Sequence, residues 1–395
     1  VGGDALDAEA AQVEPAPAAG DFDDVAVAVA VVEDAFRDDV RRFDHARPRG
    51  SVYYEKLRDL LPPADFAKAM RSIVLDYYLG VGGYVTGRLH EIWGPEGAGK
   101  TTMSLIAVRE AQRKFPEKLT AWLDVEQRLD KPWAVQHGVD LSRMMIVTPG
   151  SAEDVADQLK EICRSGLFSM AVVDSVGAML PEKAKDKDAD ESVMGKEAQV
   201  ITRMVKLNAV EAKKSNTTVL LLNQVRANFG YGADTTTPGG FALKHATTTK
   251  LNIKRAGGTD TAFKVKMNGE DRVVGHMLAV NIQRNSVAPA YRTAQFPMFY
   301  IPTDKFGPVG IDSADEAATI GSLAKVIQLS GSWYTITFTG ERVQGRDALV
   351  AALREDPGTV AKIRELALLA NAPAEVGDDG LDVDETIADA HEDVS

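Results

Sequence analysis

Apolar residues along this chain fall into two alternating patterns. Nearly continuous short runs lie at Leu89–Trp93, Leu119–Leu123, Met144–Val147, Met170–Val173 and Val219–Leu222. Between them, apolar residues three and four apart predict helices over Lys100–Lys114, Pro132–His137, Ser151–Cys163 and Gly195–Lys214. In the first of these helices Met103, Ile106 and Ala107 share a face that Arg109, Gln112 and Arg113 avoid. Runs apolar on both faces, alternating with helices, predict a mainly parallel sheet covered on both sides. Thr247–Arg255, His276–Asn285 and Tyr291–Tyr300 follow with short connections and predict an antiparallel edge, Gly269-Glu270-Asp271 making a turn between the first two. After Pro308 short helices around Trp333–Phe338 replace this pattern and predict a small C-terminal α/β domain over residues 306–372. The fold class expected is therefore α/β.

The two ends read differently. Residues 1–24 are Ala, Gly, Pro and acid, too poor in apolar residues to fold, and are expected to be a disordered tail. Over residues 25–50, Val27, Val31, Ala35 and Phe36 form one helical stripe, followed by an Arg47-Pro48-Arg49-Gly50 linker. That stripe needs a partner, either its own domain or a neighbouring subunit. The expected core spans 51–305, and 373–395 is expected to be a second acidic, disordered tail.

Charge separates along the same lines. The whole chain carries a formal net charge of −13. Residues 1–25 hold seven acids and residues 374–395 hold nine, with no Lys or Arg in either stretch. The remainder has 42 acids against 45 bases, so a slightly basic body sits between two acidic ends. With Cys163 as the one cysteine no intrachain disulfide forms, which fits a reducing cytoplasm. The six histidines lack metal-ligand spacing, so no zinc site is expected. The apolar run Val25–Val32 is too short to span a membrane and lacks a basic leader, so no membrane partner is expected.

The candidate chemistry starts at Gly94-Pro95-Glu96-Gly97-Ala98-Gly99-Lys100-Thr101-Thr102. This matches G-x-x-x-x-G-K-[ST], between a predicted strand and a predicted helix. Glycines let backbone N–H groups converge on phosphate oxygens, Lys100 brings a charge to the β- and γ-phosphates, and Thr101 offers a hydroxyl to Mg²⁺. Asp174 ends the run Met170–Val173; it either holds Mg²⁺, as the acid at that point does in phosphate-loop enzymes, or serves as a helix cap. Asp124 and Glu126 come after another core run and should open into the crevice beyond the strand ends. Glu126 is the candidate for orienting and deprotonating water, the alternative being a solvated or capping acid. Gln224 ends a further strand, where it could sense the γ-phosphate. Two long polar segments, Lys183–Met194 and Val225–Gly240, have no apolar periodicity; such loops are functional or simply solvated.

Taken together, these stretches resemble the RecA family of recombinases, in its bacterial and bacteriophage branch. The resemblance runs through L-D-V-E-x-x-L-D from Leu123, V-V-D-S-V from Val172, L-N-Q-V-R from Leu222 and T-T-T-P-G-G-F-A-L-K from Thr235. It continues through G-S-W-Y from Gly331, G-E-R-V-Q-G from Gly340 and a last helical segment Asp356–Leu369, covering about residues 50–372 in family order. It implies a RecA-type P-loop ATPase core with ATP and Mg²⁺ as cofactors. Glu126 is then the catalytic glutamate, with Asp130 and Trp133 at the adenine and Gln224 at the γ-phosphate. It also implies DNA-binding loops at Lys183–Met194 and Val225–Gly240. Met194, with Gly195 next to it, and Phe229 fall where apolar wedges enter stretched DNA, and Arg226, Gly239 and Gly240 fall at backbone phosphates. Where the family carries K-N-K across its subunit interface this chain has Arg284-Asn285-Ser286, keeping one cation as Arg284 and losing the other. That departure, with the acids of the first loop, suits a phage-encoded or divergent member.

The function so implied is an ATP-dependent homologous recombinase. It would form helical homo-oligomeric filaments on single-stranded DNA and pair that strand with a homologous duplex. Two rivals keep the same core: a ring-forming, helicase-like motor, and a DNA-binding regulator that only senses nucleotide. The first calls for a larger N-terminal helical collar than residues 1–50 supply. The second sits poorly with intact Lys100, Thr101, Glu126 and Asp174.

Overall fold

The computed structural model describes residues 67–68 and 72–371, apart from 180, 182–190, 228–234, 237–242, 244, 258–261, 268, 304 and 308. Side chains at 67–68, 191–198, 226–227 and 235–236 are also outside that description. Both tails, and the expected helix and linker over 25–50, lie outside the described residues.

Among the described residues nine strands make one sheet. β1 (Ala67–Lys68) pairs with β2 (Tyr84–Val85) apart from it, after a short helix α1 (Ile73–Leu79). β3 (Leu89–Gly94) enters the glycine-rich loop and α2 (Lys100–Lys114) leaves it. There follow β4 (Leu119–Asp124), α3 (Lys131–Gln136), β5 (Met144–Val147), α4 (Ala152–Ser165), β6 (Phe168–Asp174), α5 (Glu191–Ser215) and β7 (Thr218–Gln224). A two-stranded ribbon of β8 (Arg226–Ala227) and β9 (Thr235–Thr236) comes next. β10 (Thr249–Arg255), β11 (Ala262–Met267), β12 (Glu270–Asn285) and β13 (Arg292–Phe299) complete the sheet.

The spatial order is β11-β12-β10-β3-β7-β6-β4-β5, with β13 on the other side of β12. Pairings from β10 through β3, β7, β6 and β4 to β5 are parallel, and those of β12 are antiparallel. The predicted parallel core with an antiparallel edge is what forms. The turn at Gly269 (φ 86) joins β11 to β12, rather than β10 to the next strand as expected from the sequence.

Strands buried on both faces feed two cores. Trp122, Val172, Leu220 and Leu222 face α2, whereas Ala121, Leu123, Val173, Val219 and Leu221 face α4 and α5. This is the period of two expected when neither face meets water.

Beyond the sheet come α6 (Ser313–Leu323), an antiparallel three-stranded sheet of β14 (Ile327–Ser330), β15 (Trp333–Ile336) and β16 (Arg342–Gln344), then α7 (Arg346–Glu355) and α8 (Pro357–Asn371). Trp333–Phe338, expected among short helices, is instead largely strand: Trp333, Thr335 and Ile336 pair with Ser330, Gln328 and Ile327. α6 and α8 share the α2-side core through Ala317, Ala318, Ile363 and Ala367, where α1 also packs.

Polar contacts tie this region to α1. The Glu316 carboxylate accepts hydrogen bonds from Ser72 Oγ and Ile73 N, both at 2.6 Å, and Ser72 in turn caps α1. Arg364 donates to buried Asp76 at 2.8 Å, and Arg354 to Asp312 at 2.7 Å. Burial pushes the Glu316 carboxyl well above the usual carboxylate range, against the lowering effect of its two donors. Glu316→Ala removes both acceptors from the end of α1, and we expect a loss of about 2–4 kcal/mol in a denaturant melt. An unchanged midpoint would mean that this contact does not hold the region in place.

Candidate functional site

Parallel pairing brings four strand ends into line. Gly94 stands opposite Gln224, and Asp124 opposite Asp174. The phosphate loop, Gln224, Asp174 and the segment after Asp124 therefore meet at one edge, the carboxyl ends of the strands where ligands of such sheets bind.

The loop takes its shape from backbone that only glycine adopts easily. Gly97 and Gly99 have φ of 68° and 95°, and a Cβ at Gly94 would collide with the Ile253 carbonyl oxygen. Lys100 Nζ donates to the carbonyls of Gly94 and Pro95, both at 2.8 Å, so the ammonium lies folded against the loop that it would share with phosphate. Burial pulls the Lys100 pKa down, offset in part by Asp174, Glu126 and Glu96. Thr101 Oγ1 donates to Asp174 Oδ2 at 3.3 Å. Burial and the nearby Glu126 and Asp124 carboxylates push the Asp174 pKa from 3.8 up to about 6. A carboxylate so disfavoured in its charged form is a good host for a cation. A hydroxyl and a carboxylate oxygen at this distance fit the hard, oxygen-liganded Mg²⁺, which draws its remaining ligands from water and phosphate. Among the described residues no cluster of three or more His, Cys, Asp or Glu side chains could hold a metal by itself.

Glu126 lies just beyond β4, where Val125 N donates to the Asp174 carbonyl at 2.8 Å. Its Oε1 accepts from Gln224 Nε2 at 2.6 Å and from Ser175 Oγ at 2.5 Å. Its Oε2 is 3.4 Å from the Arg128 guanidinium. Glu126 and Gln224, singled out separately from the sequence, thus touch. Asp124 does not open into the crevice as expected. Its carboxylate turns back to accept from Arg128 N at 3.1 Å and Leu129 N at 2.9 Å, which fixes the loop that carries Glu126. Two side chains that sequence reasoning does not single out, Ser175 and Arg128, belong to the site. Ser175 comes directly after Asp174, and that adjacency is its only signal.

Asp130 caps α3 by accepting from Trp133 N at 3.0 Å. The Trp133 indole donates to Thr102 Oγ1 at 3.3 Å and lies 4.4 Å from the His137 ring, beside the phosphate-loop helix. Arg284 is elsewhere. It stands opposite Lys250, which stands opposite Glu91, three residues or roughly 10 Å short of Gly94; its guanidinium donates to the His245 carbonyl. Within one chain Arg284 does not join the phosphate loop. α5 begins at Glu191, so Met194 and Gly195 lie on helix rather than at the end of a loop. Arg226 pairs with Thr236 in the β8–β9 ribbon. Phe229, Gly239 and Gly240 lie outside the described residues. A cavity of about 450 Å³ opens between Glu96, Glu126, Arg128, Gly177, Ala178 and Gln224.

A central parallel strand running into a glycine-rich loop and helix, with an acid ending a neighbouring strand, defines the class: a phosphate-loop α/β protein of the RecA type. Residues 66–303 match the model of the RecA N-terminal domain. The Mesorhizobium japonicum protein RecA is 34% identical over 325 residues, covering 79% of this chain and 84% of that protein. Those of Macrococcus caseolyticus and Methylococcus capsulatus are each 35% identical, covering 72% and 75% of this chain and 76% and 82% of their own lengths. The chain belongs to the RecA family, the recombinases of recombination and repair. No helix among the described residues is long and apolar enough to cross a membrane.

Proposed function

We propose that this protein is a DNA-dependent ATPase that forms helical filaments on single-stranded DNA and exchanges that strand with a homologous duplex. The observation that carries the reading is the 2.6 Å hydrogen bond from Gln224 to Glu126. Gln224 ends β7, and Arg226 starts the β8–β9 ribbon two residues later. A strand that engages DNA through that ribbon therefore pulls directly on the side chain that holds the catalytic acid.

In this mechanism the loop N–H groups and Lys100 bind the triphosphate, Lys100 exchanging two carbonyl partners for phosphate oxygens. Thr101 and Asp174 would hold Mg²⁺, which would supply charge neutralisation to the phosphates. Trp133 and Asp130 flank the adenine. Glu126 orients a water and takes its proton as the water oxygen bonds to the γ-phosphorus and the bond to the β,γ-bridging oxygen breaks, giving ADP and phosphate. Arg284 would act on the nucleotide of the next subunit, and a helix from residues 25–50 would dock on that subunit. Met194, Gly195, Arg226, Phe229, Gly239 and Gly240 would face DNA.

The test is ATP turnover with and without single-stranded DNA, alongside displacement-loop formation. We expect turnover to require the strand and the displacement loop to require homology. Unwinding without homology would point to the helicase-like motor, and nucleotide binding without turnover to the regulator.

A further inference from the structure

The Arg128 side chain is 72% exposed, yet its backbone is closely held. Asp124 accepts from the N–H groups of Arg128 and Leu129, Gln127 adopts a left-handed conformation (φ 53°), and Asp130 anchors the next helix. A loop fixed at both ends directs the Arg128 guanidinium into the 450 Å³ cavity beside Glu126 and Gln224. There the guanidinium sits 3.4 Å from Glu126 Oε2 and 3.8 Å from Glu96 Oε1.

Both pairings are weak. The Glu96 side chain is 95% exposed, and neither contact has the two-pronged geometry that makes an arginine–carboxylate pair strong. A terminal phosphate offers three charged oxygens at the spacing that a guanidinium fork fits best, so it competes well for the same cation. Two further cations reach the loop among the described residues, and backbone carbonyls hold both: Lys100 by Gly94 and Pro95, and Arg255 by Gly97 at 3.2 Å. The side of the cavity carrying Glu126 has Arg128 as its positive charge among the lining residues.

We propose that Arg128 is a further catalytic residue, a guanidinium from the same chain that leaves Glu126 for the γ-phosphate and stabilises the charge on its oxygens during transfer. The exchange does two things at once. It screens the phosphoryl group as the water approaches, and it frees Glu126 Oε2 to receive the water's proton. With no nucleotide bound, the same guanidinium balances two acids that would otherwise repel an incoming polyphosphate. The inference rests on the ATPase reading above.

Arg128→Ala and Arg128→Lys in the full chain test it, through single-stranded-DNA-stimulated turnover and through binding of ADP with and without aluminium fluoride, which mimics the phosphoryl group in transfer. We expect Arg128→Ala to lower kcat by about 10–100-fold, with KM for ATP changed less than about threefold. Aluminium fluoride should tighten ADP binding far less in Arg128→Ala than in the parent, and Arg128→Lys should recover part of both losses. The binding comparison uses two ligand states of one variant, so any change in folded fraction cancels. A parent that does not hydrolyse ATP overturns the ATPase reading itself. A hydrolysing parent matched by Arg128→Ala in kcat and in its aluminium fluoride response overturns only the role of Arg128, as does a loss confined to KM.

Discussion

Glu126→Gln is expected to bind ATP and single-stranded DNA as the parent does while its ATP turnover falls by about 10²–10⁴-fold. The glutamine carbonyl oxygen can still accept from Ser175 and Gln224, the two donors that hold Glu126 Oε1. The position of the side chain is therefore kept, and what disappears is the capacity to take a proton. Arg128 loses a charged partner, but a single 3.4 Å contact from a guanidinium that is itself largely exposed contributes little to folding. Binding of a fluorescent ATP analogue, measured beside steady-state turnover, separates the two effects. A glutamine variant turning over at the parent's rate would show that the proton goes elsewhere.

The second large effect is a trade between function and stability at Asp174. Its carboxyl titrates near 6 in the folded chain against 3.8 for the free side chain, chiefly because it is buried and secondarily because Glu126 and Asp124 lie close. A raised folded value means that the folded state holds the proton more tightly than the unfolded state. The ionised carboxylate thus costs stability in full above pH 6, progressively less as pH falls, and nothing below about 4. Asp174→Asn removes that cost and should stabilise the metal-free protein by roughly 1–3 kcal/mol at pH 7.5. The gain should shrink when the melt is repeated at pH 5. The same variant should lose Mg²⁺-dependent turnover by at least about 10²-fold, because an amide oxygen is a poorer ligand than a carboxylate for this hard cation. A variant less stable than the parent at pH 7.5 would refute the buried-charge account of this position.

How much of the fold and site is legible in the sequence depends on whether the signal is local. Met144–Val147 is a strand with the bounds that its apolar run gives, because its side chains pack alternately into the two cores, Met144 and Ile146 on one side and Met145 and Val147 on the other. β11 escapes a sequence reading for the opposite reason. Its residues alternate between exposed and half-buried, Lys264 and Lys266 interrupting Phe263 and Val265, so no run announces it. β12 begins six residues before its expected start, and the first four of its residues, Glu270 to Val273, are exposed. The phosphate loop is continuous in sequence and can be read there whole. The contact between Glu126 and Gln224 cannot, since the two are 98 residues apart and meet only through the order β7-β6-β4. Asp124 defeats the expectation because nothing in the sequence tells a carboxylate that faces ligand from one that ties its own loop.

The tether at Glu316 also has a consequence in time. Ser72 and Ile73 receive their acceptor from a residue 244 and 243 positions further along. A ribosome adding roughly 5–20 residues per second reaches Glu316 some 10–50 s after it has passed Ser72. By the end of that interval the strands of the sheet are all made, whereas the apolar side of α1 still awaits α6 and α8, which cover it. The nascent chain therefore passes through a stage in which its nucleotide edge can be complete while one flank of its core is bare. On that flank, holding by a chaperone during synthesis matters most.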